Sequence, residues 1–215
     1  MPSRSRSKTP ETHIPRLHDP AVLLIDAQPG FFLNVAGHEV PPPVAVRWEK
    51  LLVTARCLEL PTLATFEDPD RNGWLSESCE RAWPAHGLRY VKRGFDCCSE
   101  PAIAAAISEI QRTHLLVAGA ETDVCVLQSV LSLLERGHEV FLLEDCVASS
   151  EPHTRPALDR MYAAGAVPCT LKTAYYELMK SVTVCRDPES AGGGWELLMR
   201  EFDEPEGLPD WQPAT

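Results

Sequence analysis

The chain predicts an α/β fold, a three-layer sandwich whose central, about six-stranded parallel sheet is flanked by helices. Three observations lead there. Short apolar runs alternate with helix-spaced segments from Ala21 to Lys180. The first run, Ala21–Asp26, is apolar at five successive positions and then ends in an acid, the pattern of a strand covered on both faces. The 215 residues, 44% hydrophobic and 24% charged, suffice for one domain with a full core.

Taken in order, Met1–Asp19 is rich in Ser, Arg, Pro and Thr with no apolar period, and reads as a flexible arm, residues 1–19. The folded body spans residues 20–184. After the first strand, Ala27–Pro43 is a loop with Pro29, Gly30 and a run of three prolines. Val44–Leu60 has helical spacing through Val44, Trp48, Leu51, Leu52, Ala55 and Leu58. Thr62–Phe66 is a second strand. Glu67–Leu88 is a long connection of the kind that forms lids and pocket walls. Leu88–Arg93 is a third strand, and Ser99-Glu100-Pro101 caps a helix running to Gln111.

His114–Ala118 is a fourth strand. Past the break at Gly119, a helix over Val124–Arg136 carries Cys125 in its first turn, capped by Thr122 or Asp123 and stopped at Gly137. Glu139–Leu143 is a fifth strand, residues 151 or 152 to 164 a helix, Val167–Thr170 a sixth strand and Ala174–Lys180 a last short helix. Residues 185–215 form an acidic C-terminal tail with one short helix over Trp195–Phe202.

The net charge of −11 argues against a general nucleic-acid binder, because no surplus of cations faces phosphate. No long uncharged apolar run exists to span a membrane. No apolar stretch follows the basic N-terminal residues, so a secretory leader is not read there. The eight cysteines lie mostly in apolar segments and read as reduced packing thiols of a cytoplasmic protein, Cys97-Cys98 included.

In doubly wound sheets the site lies beyond the carboxyl ends of the strands. Asp26, Lys92 and Cys125 all fall there. Taken singly, Asp26 reads as a strand-end cap, Lys92 as a solvated charge and Cys125 as a packing thiol. Their joint placement changes the reading. A thiol at a helix start faces unpaired N–H groups and the positive dipole end, which lowers its pKa and favours a thiolate.

Leu23-Leu24-Ile25-Asp26-Ala27-Gln28 with Phe31-Phe32, Val91-Lys92 with Phe95, and Val117–Val126 around Cys125 resemble the isochorismatase-like cysteine hydrolases, a superfamily that includes nicotinamidases and N-carbamoylsarcosine amidases. Glu144-Asp145 with Ser149-Ser150 is similar to its next strand end. The resemblance covers roughly residues 20 to 182. It implies a triad with Cys125 as nucleophile, Asp26 as base and Lys92 as third member. It further implies a cis peptide between Ala120 and Glu121, and an oxyanion hole from the N–H groups of Glu121 and Cys125. Phe31, Trp74, Phe95 and Gln28 become the candidates for contact with a small-molecule substrate. The side chain of Glu121 projects beside the oxyanion hole, toward substrate or a neighbouring subunit.

The nicotinamidase metal motif, Asp-x-His after the second strand, is replaced by Phe66-Glu67-Asp68-Pro69-Asp70. No catalytic metal and no cofactor are therefore expected. The implied activity is hydrolysis of a C–N bond (amide, carbamoyl or imide-like) through a thioester, in a homo-oligomer. The alternatives are ether hydrolysis of an isochorismate-like substrate and a non-catalytic, ligand-binding relative.

Overall fold

Ala21–Ile25 (β1) is buried at every residue. Its side chains alternate between two cores: Val22 and Leu24 enter one, Ala21, Leu23 and Ile25 the other. A strand covered on both faces needs a continuous apolar run. The computed structural model describes residues 14–32 and 43–180. Residues 1–13 of the expected arm, part of the loop after β1, and the expected tail with its Trp195–Phe202 helix lie outside the described residues.

The other elements are α1 (Val44–Cys57), β2 (Thr62–Glu67), α2 (Pro69–Asn72), α3 (Glu77–Ala82), β3 (Leu88–Lys92), α4 (Pro101–Glu109) and β4 (His114–Ala120). They continue through a helical turn at Thr122–Val126, α5 (Leu127–Glu135), β5 (Glu139–Ala148), α6 (Arg155–Ala163), β6 (Val167–Cys169) and α7 (Leu171–Met179). Six strands form one parallel sheet in the order β3-β2-β1-β4-β5-β6. Residues of α1, α3 and α7 pack in the first core, and residues of α4, α5 and α6 in the second. This is the expected three-layer α/β sandwich. Strand order reverses between β1 and β4, so the crevice for a site opens where Asp26 leaves β1 and Cys125 follows β4.

Several boundaries differ from the sequence expectation, each for a local reason. The long connection after β2 is not irregular, because Ser76 accepts the Cys79 N–H and starts α3. Ser99 does not cap α4; its hydroxyl donates to the Asp96 carbonyl, and Glu100 holds the cap position without a side-chain bond. β4 continues to Ala120 and β5 to Ala148, because a register shift after Val117 lets Gly119 and Ala120 pair with Val147 and Ala148. α6 starts at Arg155 rather than at residue 151 or 152, since Ser149 and Ser150 are bonded back toward the turn before Cys125. α7 begins at Leu171, where Thr170 caps it by accepting the Thr173 N–H.

The described end of the expected arm is tied to the body. Leu17 is buried, its N–H donates to Glu177, and Asp19 pairs with Arg112 at 3.1 Å. Seven free cysteines are described, six of them buried, and the Cys97 and Cys98 sulfurs stand 3.9 Å apart, hydrogen-bonded and not joined in a disulfide. Among the described residues no helix is long and apolar enough to cross a membrane.

Candidate active site

The sheet register builds the site. Glu67 at the end of β2 is the Cα partner of Lys92 at the end of β3, and Thr65 lies two residues earlier on the same face of β2. Asp26 leaves β1 at φ 44°, a left-handed residue that turns the chain out of the strand. Its N–H reaches the Thr65 carbonyl at 3.1 Å, and its Oδ1 accepts the Thr65 hydroxyl at 2.8 Å. Cys125 arrives from the far side of the switch point, on the turn that follows β4.

Gly119 lets that turn form. Its φ is +129°, and a Cβ there would lie 1.7 Å from the Ile25 carbonyl oxygen. Only glycine lets β4 approach β1 this closely. The next peptide, Ala120–Glu121, is cis. Thr122–Val126 is a wide π-helical turn with Glu121 at its cap position and no side-chain cap. The expected cap by Thr122 or Asp123 is therefore not made: Thr122 is buried, and Asp123 accepts the Ser149 hydroxyl at 2.6 Å instead. The Glu121 carboxylate accepts both the backbone N–H (3.0 Å) and the hydroxyl of Ser150, so the next strand end braces the turn.

These elements bring three predicted residues together. Lys92 Nζ lies 2.6 Å from Asp26 Oδ2 and 3.5 Å from Cys125 Sγ, and donates to the Gly94 carbonyl at 3.0 Å. Glu100 holds the turn after Lys92 by accepting the Arg93 and Gly94 N–H groups, bonds that lower its own pKa. Asp26, Lys92 and Cys125 are all at most 2% exposed. Asp26 Oδ2 is held by the ion pair with Lys92.

A fourth group, met in the sequence within the stretch that replaces the metal motif, belongs to the cluster. Glu67 Oε2 is 3.4 Å from Cys125 Sγ and 4.0 Å from Lys92 Nζ, with its side chain 24% exposed. The signal was available: Glu67 ends the second apolar run as Asp26 ends the first. Strand order, which the sequence does not state, is what sets it opposite Lys92.

The electrostatics reverse one expectation. The Cys125 thiol is pushed well up, not down, by burial first and by the Asp26 charge second; Lys92 opposes this without prevailing. Burial also raises Asp26 above the usual carboxylate range against the pull of Lys92. Lys92 is raised too: burial works against its charge, but Asp26, Cys125 and Glu67 outweigh it. The thiol thus favours its protonated form beside the 2.6 Å contact of Lys92 with Asp26. Asp26, Glu67 and Cys125 place ligand atoms within 4.8 Å of one another, a spacing that could hold a cation. The Lys92 ammonium already stands among those atoms and supplies the positive charge a metal would bring.

The four residues predicted to touch substrate are spread out. Gln28 is fully buried and spends its amide on the backbone: Nε2 donates to the carbonyls of Glu67 (3.0 Å) and Gly73 (2.5 Å), and Oε1 accepts the Glu67 N–H (2.7 Å). It fixes the loop around Glu67. Phe31 is half-buried and packs on the first core. Trp74, 49% exposed, packs against Phe66 with the ring planes tilted by 58° and lines a cavity of about 350 Å³ with Arg89, Tyr90 and Val91. Phe95 is also 49% exposed.

Comparison with known proteins adds the following. The family model described as the isochorismatase domain matches residues 20–173. Isochorismatase family protein 2A of Dictyostelium discoideum is 35% identical over 168 residues, 75% of this chain and 82% of that protein. The match to isochorismatase family protein 1A of the same organism is 45% identical but spans 67 residues, 31% of this chain and 32% of the relative. Among solved structures, the Escherichia coli YcaC gene product, described as an octameric hydrolase of unknown specificity, superposes with a TM-score of 0.70 at 26% identity, covering 91% of this chain and 98% of that one.

Proposed function

The chain belongs to the isochorismatase family, and from that premise we propose that it is a metal-independent cysteine hydrolase cleaving a C–N bond of a small amide, carbamoyl or imide-like molecule through a thioester. One observation carries the proposal: a buried thiol, carboxylate and ammonium share one point, with Lys92 Nζ 2.6 Å from Asp26 and 3.5 Å from Cys125. A cation that only balanced a buried acid would not need a thiol as its second neighbour.

In this reading Cys125 attacks the carbonyl carbon as Asp26 takes the thiol proton. The raised thiol pKa fits general-base activation, in which the proton leaves only as the bond forms, better than a standing thiolate. Lys92 holds Asp26 ionised and in place. The N–H groups of Glu121 and Cys125 receive the oxyanion, a contribution of about 3–4 kcal/mol per donor in such sites. Asp26 then passes its proton to the leaving amine, and the C–N bond breaks. Phe31, Trp74 and Phe95 are the proposed apolar walls, completed in a cytoplasmic homo-oligomer, an arrangement for which the octameric relative is a precedent.

The non-catalytic alternative draws its support from the same raised thiol. Intact-mass screening of an amide and carbamoyl library separates the two. The proposal expects acyl adducts that map to Cys125, and neither adduct nor turnover in Cys125→Ala. Unchanged turnover in Cys125→Ala would sink it.

A further inference from the structure

We propose that Glu67 is a second acid–base residue of this site, serving the water that hydrolyses the thioester as Asp26 serves the thiol. The inference rests on the thioester reading above and goes beyond it by splitting the two half-reactions between two carboxylates.

Asp26 is badly placed for water. It is fully buried, Oδ1 is occupied by the Thr65 hydroxyl, and Oδ2 faces Lys92. Glu67 faces both sides: its Oε2 lies 3.4 Å from the sulfur, and a quarter of its side chain meets solvent. Its placement is built. The Glu67 N–H is held by Gln28 Oε1, and its carbonyl accepts from both Gln28 Nε2 and Asn72 Nδ2. Two side-chain amides, each at most 8% exposed, fix the backbone of a residue that an acidic surface turn would leave loose. Gly30 lets the loop after β1 close on this point, since a Cβ there would meet the Asn72 backbone at 2.4 Å.

The step balances. After the amine has left, Asp26 is again ionised and the acyl group is bonded to sulfur. Glu67 takes a proton from water as the water oxygen bonds to the carbonyl carbon. The tetrahedral intermediate collapses, the C–S bond breaks with its electron pair on sulfur, and Glu67 returns the same proton to Sγ. The thiol is restored and the carboxylic acid departs.

The test uses p-nitrophenyl acetate as acyl donor to the full chain, with Cys125→Ala as background. The wild type should release a burst of p-nitrophenol, and acetyl-Cys125 should form and decay. In Glu67→Gln the burst should persist, while decay slows by ~100-fold, the lower range for loss of a general base. Hydroxylamine attacks without needing its proton removed first, so it should restore deacylation of Glu67→Gln to near the wild-type rate with the same nucleophile. Glu67→Asp, which keeps the carboxylate, should fall between, and it carries the test should Glu67→Gln not fold. Deacylation at the wild-type rate in these variants overturns the role, as does an equal slowing with hydroxylamine or loss of the burst alone. If the wild type forms no acetyl-Cys125, the thioester reading itself fails, a result distinct from the others, and takes this inference with it.

Discussion

Replacing Asp26 by Asn should make Cys125 easier to alkylate while abolishing its proposed chemistry. Asp26 and Cys125 share Lys92 Nζ, at 2.6 Å and 3.5 Å. The carboxylate oxygen and the sulfur are therefore no more than about 6 Å apart. Between charges at that distance, an effective dielectric of about 20 gives a repulsion of at least about 2.7 kcal/mol. Converted at 1.36 kcal/mol per unit, that is about two units of thiol pKa. Removing a negative charge lowers the pKa of a group that ionises to an anion, so Asp26→Asn should lower Cys125 by at least about that much. At a pH well below the variant's lowered value the thiolate fraction then rises ~100-fold. A less basic thiolate is a weaker nucleophile, with a Brønsted slope near 0.5, which leaves a net gain of ~10-fold in reaction rate. The assay is the rate of iodoacetamide labelling across pH, localised to Cys125 by peptide mapping, with Cys125→Ala as background. Slower or unchanged labelling in Asp26→Asn at the same pH would refute the view that the carboxylate holds the thiol protonated.

Three further outcomes follow from the same geometry. Lys92→Met strips Asp26 of the cation 2.6 Å away and leaves a buried carboxylate without it, which should cost about 3–5 kcal/mol in urea unfolding; a loss under 1 kcal/mol, about that of a surface pair, would show that the pair is solvated. Gly119→Ala forces a Cβ against the Ile25 carbonyl at a positive φ and should cost more than about 4 kcal/mol, read as loss of soluble folded protein or of the cooperative transition. Gln28→Ala leaves the Glu67 N–H and the Gly73 carbonyl without their partner and should lower stability by about 1–3 kcal/mol. It should also slow decay of acetyl-Cys125 more than its formation, and equal slowing of both would mark Gln28 as a brace for the whole site rather than for Glu67.

Asp26, Lys92 and Cys125 were legible as neighbours because each falls at or beyond the carboxyl end of a predicted strand, and parallel strands end on one edge. The six parallel strands were legible in their short apolar runs. What the sequence did not disclose depends on partners that only folding supplies. The thiol pKa was read from the helix dipole, a feature of the local chain. Two carboxylates from other strands and the burial of the sulfur outweigh it. Thr122 and Asp123 have the right chemistry to cap a helix, but Ser149 takes Asp123, and the chain enters a π-helical turn instead. Gln28 stood among the candidate substrate contacts because it belongs to the stretch around Asp26 that resembles the family. It faces the β2 end, where backbone groups without sheet partners claim its amide.

The strand order also explains why charge accumulates here. A carboxylate just past β1, another ending β2 and a lysine ending β3 lie on three successive strands, so two acids and one cation meet at one edge. Burying Asp26 alone would push it toward neutrality; Lys92 opposes that, and the thiol across the switch point then feels both. Asp26 can rest ionised next to a protonated thiol only while Lys92 stays, and Lys92 can remain buried only while its acids stay. The three are one electrostatic unit, so the effects of Asp26→Asn and Lys92→Met on stability should be less than additive in the double variant. A double-mutant cycle with purely additive losses would mean that the 2.6 Å contact contributes no coupling, and the case for a shared proton-handling site would lose its electrostatic basis.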